Sequence, residues 1–362
     1  MTAGPIMIMA GGTGGHVFPG LAVAEVLRAR QSAVVWLGTR RGLEARVVPQ
    51  NGIDMEWISI SGLRGRGILA WLSAPFQIAL AIVQVLVTLR RRRPAAVLGM
   101  GGFVAGPGGI AAWLARKPLL IHEQNAVPGT TNRLLARLAQ RVFEAFPGTF
   151  PSSVRAEWIG NPIRRSIIAL DSPRERFAAR QGQRRRLLVL GGSQGARILN
   201  RTLPRALAQM SAAQRPDVWH QAGSGLEETR KAYADFGVDA RVDGFIEDVA
   251  SAYQWADLVV ARAGALTVAE LSAAGVGAVL IPFRYATDDH QTRNARHFVG
   301  GGAGVQIAEP DLTPESLARE LGGLLRDSGK LVAMAEAARR QAKGDAAEKL
   351  AAACLALAEG QR

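Results

Sequence analysis

The sequence predicts an α/β protein made of two doubly wound, parallel-sheet domains. Three observations carry this. Its 362 residues exceed the size at which one hydrophobic core usually keeps growing, so two domains are expected. The two halves open alike: Ile6-Met7-Ile8-Met9-Ala10 runs into Gly11-Gly12-Thr13-Gly14-Gly15, and Leu187-Leu188-Val189-Leu190 runs into Gly191-Gly192-Ser193-Gln194-Gly195. Short continuous apolar runs then recur, alternating with helical stretches. That is the pattern of strands buried on both faces of a parallel sheet and joined by crossover helices.

In chain order, the strand at 6–10 feeds a glycine turn and a helix over 21–30, and strands follow at 34–37, 95–98 and 119–121, with a helix over 132–139. Residues 68–89 form 22 uncharged positions, preceded by Arg64 and Arg66 and followed by Arg90, Arg91, Arg92 and Arg93. Length alone would let this segment span a bilayer. Three features favour a crossover helix instead. Pro75 is expected to open the helix, leaving about 15 residues, or roughly 22 Å, short of a core of about 30 Å. Ser73, Gln77, Gln84 and Thr88 fall within an arc of about 60° on a helical wheel, forming one narrow polar stripe. Finally, the run Val97-Leu98-Gly99 reads as the next strand and needs this helix as its crossover. The helix has apolar surface to spare beyond what one sheet covers. With arginines at both ends, it suits a membrane interface beside anionic head groups.

Gly160-Asn161-Pro162 breaks the periodicity, which sets a first domain over 1–162 and a second over 163–340. In the second, strands are expected at 187–190, 218–221, 258–261 and 279–281, and helices at 266–274 and 314–325. The Ala-rich stretch 332–359 reads as one helix, and the segment 341–362 has the pattern to pack back on the first domain. A ligand belongs in the crevice between two such domains, at the carboxyl ends of their strands.

Composition narrows the function. Hydrophobic residues at 48% and charged residues at 20% describe an ordinary globular chain. The single cysteine, Cys354, permits no intrachain disulfide and fits a reducing compartment. The opening MTAGPIMIMAGG has no basic stretch before its apolar run, so no secretory signal is expected. The net charge of +14 is uneven: residues 1–163 hold 17 Lys and Arg against 7 Asp and Glu, and residues 164–362 hold 27 against 23. The basic first half calls for an anionic partner, either a phosphorylated substrate or an anionic lipid. Nucleic acid fits less well, because aromatics are 6% of the chain and none interleaves with the arginine run.

A glycine-rich turn that opens a helix offers backbone N–H groups and the positive helix end to a phosphate. Residues 11–15, 99–109 and 191–195 qualify. None has dinucleotide spacing, since Val17 stands where a third glycine is required, and no G-x-x-x-x-G-K-[ST] loop is present. Equivalent loops in two domains point to a phosphate site in each. Thr267 and Glu270 have capping-box spacing, which on spacing alone is favoured over a carboxylate receiving both hydroxyls of a ribose. Asp288 and Asp289 precede His290 and Gln291; helix N-capping is favoured over metal binding there, and no metal site is expected. His16 follows the first loop, where it can serve as a general base or simply cap a turn.

Long strings then carry a resemblance: GGTGGHVFPGLAVAE (11–25), ISGLRGRG (60–67), LGMGGFVAGPGG (98–109), HEQNAVPGTTN (122–132), GNPIR (160–164), GGSQGARILN (191–200), HQAG (220–223), GFIEDVASAYQWADLVVARAGALTVAEL (244–271) and DDHQTRNA (288–295). Collinear over residues 6–300, they resemble the MurG family, the undecaprenyl-diphospho-muramoylpentapeptide β-N-acetylglucosaminyltransferases of bacterial peptidoglycan synthesis. The resemblance implies a GT-B fold, two Rossmann-like domains facing a central cleft. It implies inverting, metal-independent transfer from UDP-GlcNAc to lipid I, giving lipid II, with no cofactor. The domain 1–162 would take the acceptor and the membrane, and 163–340 the donor. Ile246 would read uracil. Ala265, Leu266, Thr267, Val268 and Ala269 would supply a helix start for the phosphates, and Glu270 would hold the ribose, reversing the spacing-only preference. Ser193 and Arg164 would touch the diphosphate, while Gln291, His290 and Asn125 would contact the sugar. Thr13, Gly14 and Gly15 would face the transferring sugar and the acceptor diphosphate, with His16 as base. Some relatives carry two glutamines where this chain has His290-Gln291. The family setting further implies a peripheral position on the cytoplasmic face of the inner membrane, and a part in cell shape and division. Another lipid glycosyltransferase would keep the donor half but lack HEQNAVPG together with GGTGGH.

Overall fold

The computed structural model describes residues 4–60, 68–192 and 195–360. The chain forms two compact units, Met1–Ile163 with Gly344–Arg362, and Arg164–Lys343.

In the first unit the strands are β1 (Ile6–Met9), β2 (Val34–Gly38), β3 (Asp54–Trp57), β4 (Ala96–Gly99), β5 (Leu119–Glu123), β6 (Arg141–Glu144) and β7 (Glu157–Trp158). They form one parallel sheet in the order β3-β2-β1-β4-β5-β6-β7. The apolar run of β1 is continuous because it serves two cores. Ile6 and Ile8 pack with Val23, Leu27 and Trp36 on one face, while Met7 and Met9 pack with Val85, Leu89 and Val104 on the other. Strand order reverses direction between β1 and β4, so the loops leaving their carboxyl ends flank a switch point, the usual ligand crevice of a doubly wound sheet.

The second unit repeats the plan with β8 (Arg186–Leu190), β9 (Asp217–Gln221), β10 (Arg241–Asp243), β11 (Leu258–Ala261), β12 (Gly277–Leu280) and β13 (Gly304–Gln306). Its parallel order is β10-β9-β8-β11-β12-β13, which puts the switch point between β8 and β11.

Three sequence expectations need correction. The first helix starts at Gly14, immediately after the glycine turn, and runs to Ala29 with Pro19 inside. The apolar helix does not open at Pro75: it runs Ile68–Arg92, 25 residues or about 37 Å, with Pro75 in its interior. The proline removes one ladder hydrogen bond, which the rest of a long helix tolerates. Length therefore no longer argues against spanning; the segment Ala74–Arg92 is long and apolar enough to cross a membrane. Its place as the crossover between β3 and β4 stands. Lastly, the Ala-rich terminal stretch is two helices, Ser328–Gln341 and Ala346–Ala358, because Ala342 turns extended ahead of Gly344 and Asp345. The first belongs to the second unit and the last to the first unit, where Leu350, Ala351 and Cys354 are buried against Val23 and Leu27.

The apolar helix is mounted with Gln84 and Thr88 inward. Thr88 is buried, and the Gln84 side-chain oxygen accepts the Ser59 N–H at 2.8 Å. Ala81, Val85 and Leu89 are buried beside them. Outward lie Phe76 at 75% exposure, Leu80, Val83 at 55% and Val87 at 56%. On the neighbouring helix Gly102–Leu114, Trp113 and Leu114 are also exposed. Arg91 and Arg92 pair with Glu56, so only part of the arginine run is uncommitted charge. Arg64 and Arg66 lie outside the described residues.

Candidate active site

In the first unit, the loop from β1 to the helix Gly14–Ala29 is pinned from below by a buried carboxylate. Glu44 accepts the Gly12 N–H at 3.0 Å, the Thr39 N–H at 3.0 Å and the Thr39 hydroxyl at 2.8 Å. Thr13 is the N-cap, and the amides of Gly14 and Gly15 head the helix, where no earlier turn supplies acceptors. His16 sits in this first turn, half-buried, its ring against the backbone of Gly101 and Gly102 in the loop after β4. A Cβ at Gly101, whose φ is +86°, would lie 3.1 Å from that ring, so the seat requires glycine.

His16 Nδ1 is 2.9 Å from Gln124 Oε1, and Gln124 Nε2 is 3.1 Å from His122 Nδ1. His122 Nε2 lies 2.9 Å from the Gly160 carbonyl oxygen. Burial lowers the His122 pKa to about 4; the Gly160 bond opposes this and the nearby His16 adds to it. Asn125 follows directly. Its N–H donates to Glu123 Oε1 at 3.0 Å and its carbonyl accepts the Thr149 hydroxyl at 3.2 Å. Glu123 Oε2 also accepts from the Gly129 N–H and from Asn132 Nδ2, which fixes the whole loop 124–129.

In the second unit, the loop leaving β11 opens the helix Ala265–Ala274 with Gly264 as its N-cap. This overturns the capping-box reading: Thr267 is the third helical residue and Glu270 the sixth, too deep to cap. Ala265 and Val268 are buried, while Leu266, Thr267 and Ala269 are partly exposed along the first turns. Glu270 is buried, with Oε1 3.3 Å from Arg164 Nη2 and Oε2 accepting the Tyr253 hydroxyl at 3.1 Å. Burial raises the carboxyl pKa, opposed by the Arg164 charge and by the bonds from Arg164 and Tyr253. The Tyr253 phenol is pushed well above its ordinary value, first by burial and then by the Glu270 charge.

Ile246 is buried in the loop after β10, next to exposed Phe245. His290 and Gln291 begin the helix His290–Gly300 after β12. His290 Nδ1 donates to the Thr287 carbonyl at 2.7 Å, and Gln291 Oε1 accepts the Phe283 N–H at 3.0 Å. Asn294, buried on the same helix, donates to the Ala263 carbonyl and ties this element to the β11 loop. Asp289 occupies the N-cap position, yet its carboxylate accepts the Thr292 hydroxyl at 2.6 Å rather than a helix amide, so the expected side-chain cap is absent. Asp288 has φ +52° and Asp289 φ +51°. Ser193 lies outside the described residues.

The structure thus groups Thr13, Gly14, Gly15, His16 and Asn125 at the β1, β4 and β5 ends of the first unit. It groups Arg164 with Glu270 in the second, with Ile246 in the loop after the edge strand β10 and His290 and Gln291 after β12, which neighbours β11. Sequence reading missed Glu44, His122, Glu123, Gln124 and Tyr253. His122, Glu123 and Gln124 stood beside Asn125 in a string already singled out. Nothing in the local pattern marks Glu44 or Tyr253 as buried partners.

Comparison with known proteins gives the family. Residues 6–144 match the glycosyltransferase family 28 N-terminal domain, and residues 186–350 match the family 28 C-terminal domain. The chain is 58% identical to the UDP-N-acetylglucosamine–N-acetylmuramyl-(pentapeptide) pyrophosphoryl-undecaprenol N-acetylglucosamine transferase of Nitrosococcus oceani, over 98% of this chain and 99% of that protein. It is 55% identical to the transferase of the same name from Alkalilimnicola ehrlichii, over 97% of this chain and 98% of that one. The crystal structure of Acinetobacter baumannii MurG superposes with a TM-score of 0.83 at 40% identity, covering 97% of this chain and 99% of that one. With two parallel-sheet units, both family domains and full-length relatives in register, the chain belongs to glycosyltransferase family 28 and, within it, to the MurG family with its GT-B fold.

Proposed function

We propose that this chain transfers N-acetylglucosamine from UDP-N-acetylglucosamine to the muramoyl-pentapeptide of lipid I, giving lipid II and UDP. The observation that carries this reading is the near-complete, high-identity match to transferases named for that reaction.

The residues divide the chemistry. His16 removes the proton from the C4 hydroxyl of the muramoyl acceptor, and the oxygen forms its bond to the anomeric carbon of the donor sugar. The bond from that carbon to the UDP oxygen breaks with its electron pair, from the opposite face, inverting the centre. Negative charge on the leaving diphosphate meets the amides at the start of the helix Ala265–Ala274 and the Arg164 guanidinium. Ser193 adds a hydroxyl contact to the same group. Glu270 accepts the ribose hydroxyls, Ile246 reads uracil, and Gln291, His290 and Asn125 bind the sugar. Thr13, Gly14 and Gly15 receive the acceptor diphosphate at a second helix start.

We further propose that the enzyme lies peripherally on the cytoplasmic face of the inner membrane, where it serves wall growth during cell elongation and division. The outward apolar face of Ile68–Arg92, joined by Trp113 and Leu114, supports this, since a solvent-facing helix would carry its polar residues outward. The exposed arginines Arg90 and Arg93 add attraction to anionic lipid.

The direct test is incubation with labelled UDP-GlcNAc and a short-chain lipid I analogue, following label into lipid. Incorporation is expected. Saturable UDP-GlcNAc binding without transfer to that acceptor would remove lipid I and favour a different lipid acceptor.

A further inference from the structure

The first unit holds a buried polar chain that the proposed reaction leaves unexplained. It runs from the Gly160 carbonyl through His122 and Gln124 to His16, with links of 2.9, 3.1 and 2.9 Å. His122 and Gln124 are at most 1% exposed, and both stand at the carboxyl end of β5, against the first turn that carries His16.

Two backbone carbonyls, which can only accept, set the direction of every proton in this chain. At the far end, the Gly160 oxygen requires the proton of the neutral His122 ring to sit on Nε2. His122 Nδ1 is then a lone pair. In the middle, Gln124 Nε2 lies 3.2 Å from the carbonyl oxygen of His122 as well as 3.1 Å from that lone pair. An amide nitrogen with two hydrogens satisfies both acceptors, whereas an amide oxygen would satisfy neither, so the amide orientation is fixed. Its oxygen therefore faces His16, and an oxygen can only accept. The frame around the amide is also set: the Gln124 carbonyl accepts from Asn161 Nδ2 at 3.1 Å, and the His122 carbonyl from Asn132 Nδ2 at 3.0 Å.

We infer that Gln124 and His122 are positioning residues that hold His16 in its Nδ1–H tautomer, leaving the Nε2 lone pair to take the proton of the acceptor hydroxyl. This rests on the reading of His16 as the base and extends it. Either tautomer is open to an exposed imidazole, and only one of them presents a lone pair at Nε2. The buried amide makes that selection before substrate arrives. The low pKa of His122 fits, since a neutral ring is required for it to accept from Gln124.

The test separates the tautomer from the catalysis. In the full-length protein with ¹⁵N-labelled histidine, long-range ¹H–¹⁵N spectra at neutral pH report which nitrogen of each of the five histidines carries the proton. His16, assigned by its disappearance in His16→Gln, is expected as Nδ1–H. His220 supplies a contrast. Asn200 Nδ2 donates to the Ala222 carbonyl, so Asn200 Oδ1 must accept from His220 Nε2, making that ring the opposite tautomer. A wild-type His16 found as Nε2–H overturns the inference outright, whatever any variant does. Gln124→Leu, which removes the acceptor, is expected to give a His16 tautomer mixture and to lower kcat about 10- to 100-fold. The KM for UDP-GlcNAc should stay unchanged. If Gln124→Leu shifts the tautomer but kcat holds, the selection stands and His16 is not the base.

Discussion

Glu270, proposed here to hold the donor ribose, is buried at the expense of the fold. Its carboxyl is buried with a raised pKa, so the folded state binds a proton more tightly than the unfolded chain does above the ordinary carboxylate range. Stability from this residue therefore falls as pH rises through that window, so the buried carboxyl is not kept for the sake of folding. Glu270→Gln is expected to raise the KM for UDP-GlcNAc about 10- to 100-fold, the worth of hydrogen bonds to a charged group. Its melting temperature should be equal to wild type or higher. Steady-state kinetics with a thermal scan checks this; an unchanged KM with a fall of about 5 °C or more would make Glu270 a structural residue. Spacing alone pointed the other way, because T-x-x-E is a cap only when the threonine stands at the helix boundary. Here the boundary is Gly264, set by the glycine turn after β11. The resemblance, not the periodicity, singled out the acid, and neither indicated Tyr253 as its partner.

Among the elements, those serving two cores were the easiest to read. The strands β1, β4, β11 and β12 are apolar throughout because both faces are covered, and β5 and β8 carry polar residues only at their ends, His122 and Glu123 in one and Arg186 in the other. Edge strands such as β3 (Asp-Met-Glu-Trp) and β7 (Glu-Trp) left no such trace: they are short, partly exposed and charged. The helix Ile68–Arg92 was misread at its start because proline was taken as a boundary, though its outward-apolar character was legible from the narrow polar stripe. That inversion sets a prediction at this scale. Phe76→Ser with Val83→Ser is expected to lower partition onto phosphatidylglycerol vesicles by at least about 10-fold, each exposed apolar side chain being worth on the order of 1–2 kcal/mol. Turnover of a short-chain, soluble acceptor should persist. Unaltered vesicle partition would sink the membrane role of this face.

At the scale of the whole chain, each unit carries one deeply buried histidine: His122, lowered to about 4, and His220, lowered by burial to about 3. Both must stay neutral in the fold but become protonated in the unfolded chain below the ordinary histidine range. The unfolded state then binds more protons, and stability is lost as pH falls from about 6.5 toward 4. Roughly 2 kcal/mol is expected from each ring by pH 5. Denaturant unfolding at pH 7 and pH 5 should show both units weakened. A flat response would mean that one ring or the other is not held neutral. The repetition of the two units was plain from the paired strand–glycine–helix openings. The interleaving of the two units along the chain was not visible, since a break as short as 342–345 hardly disturbs an Ala-rich helical pattern.

That interleaving bears on how the molecule is made. The second unit is one uninterrupted stretch, Arg164–Lys343, whereas the first borrows its last helix, Ala346–Ala358, from the far end of the chain. While the ribosome is still reading the second unit, the first has all seven strands but lacks the layer that covers Val23, Leu27 and their neighbours. The nascent first unit thus carries an uncovered apolar surface through nearly half of translation. The second unit, though made later, has its full complement of residues first, and the first unit is finished only once Ala346–Ala358 has followed.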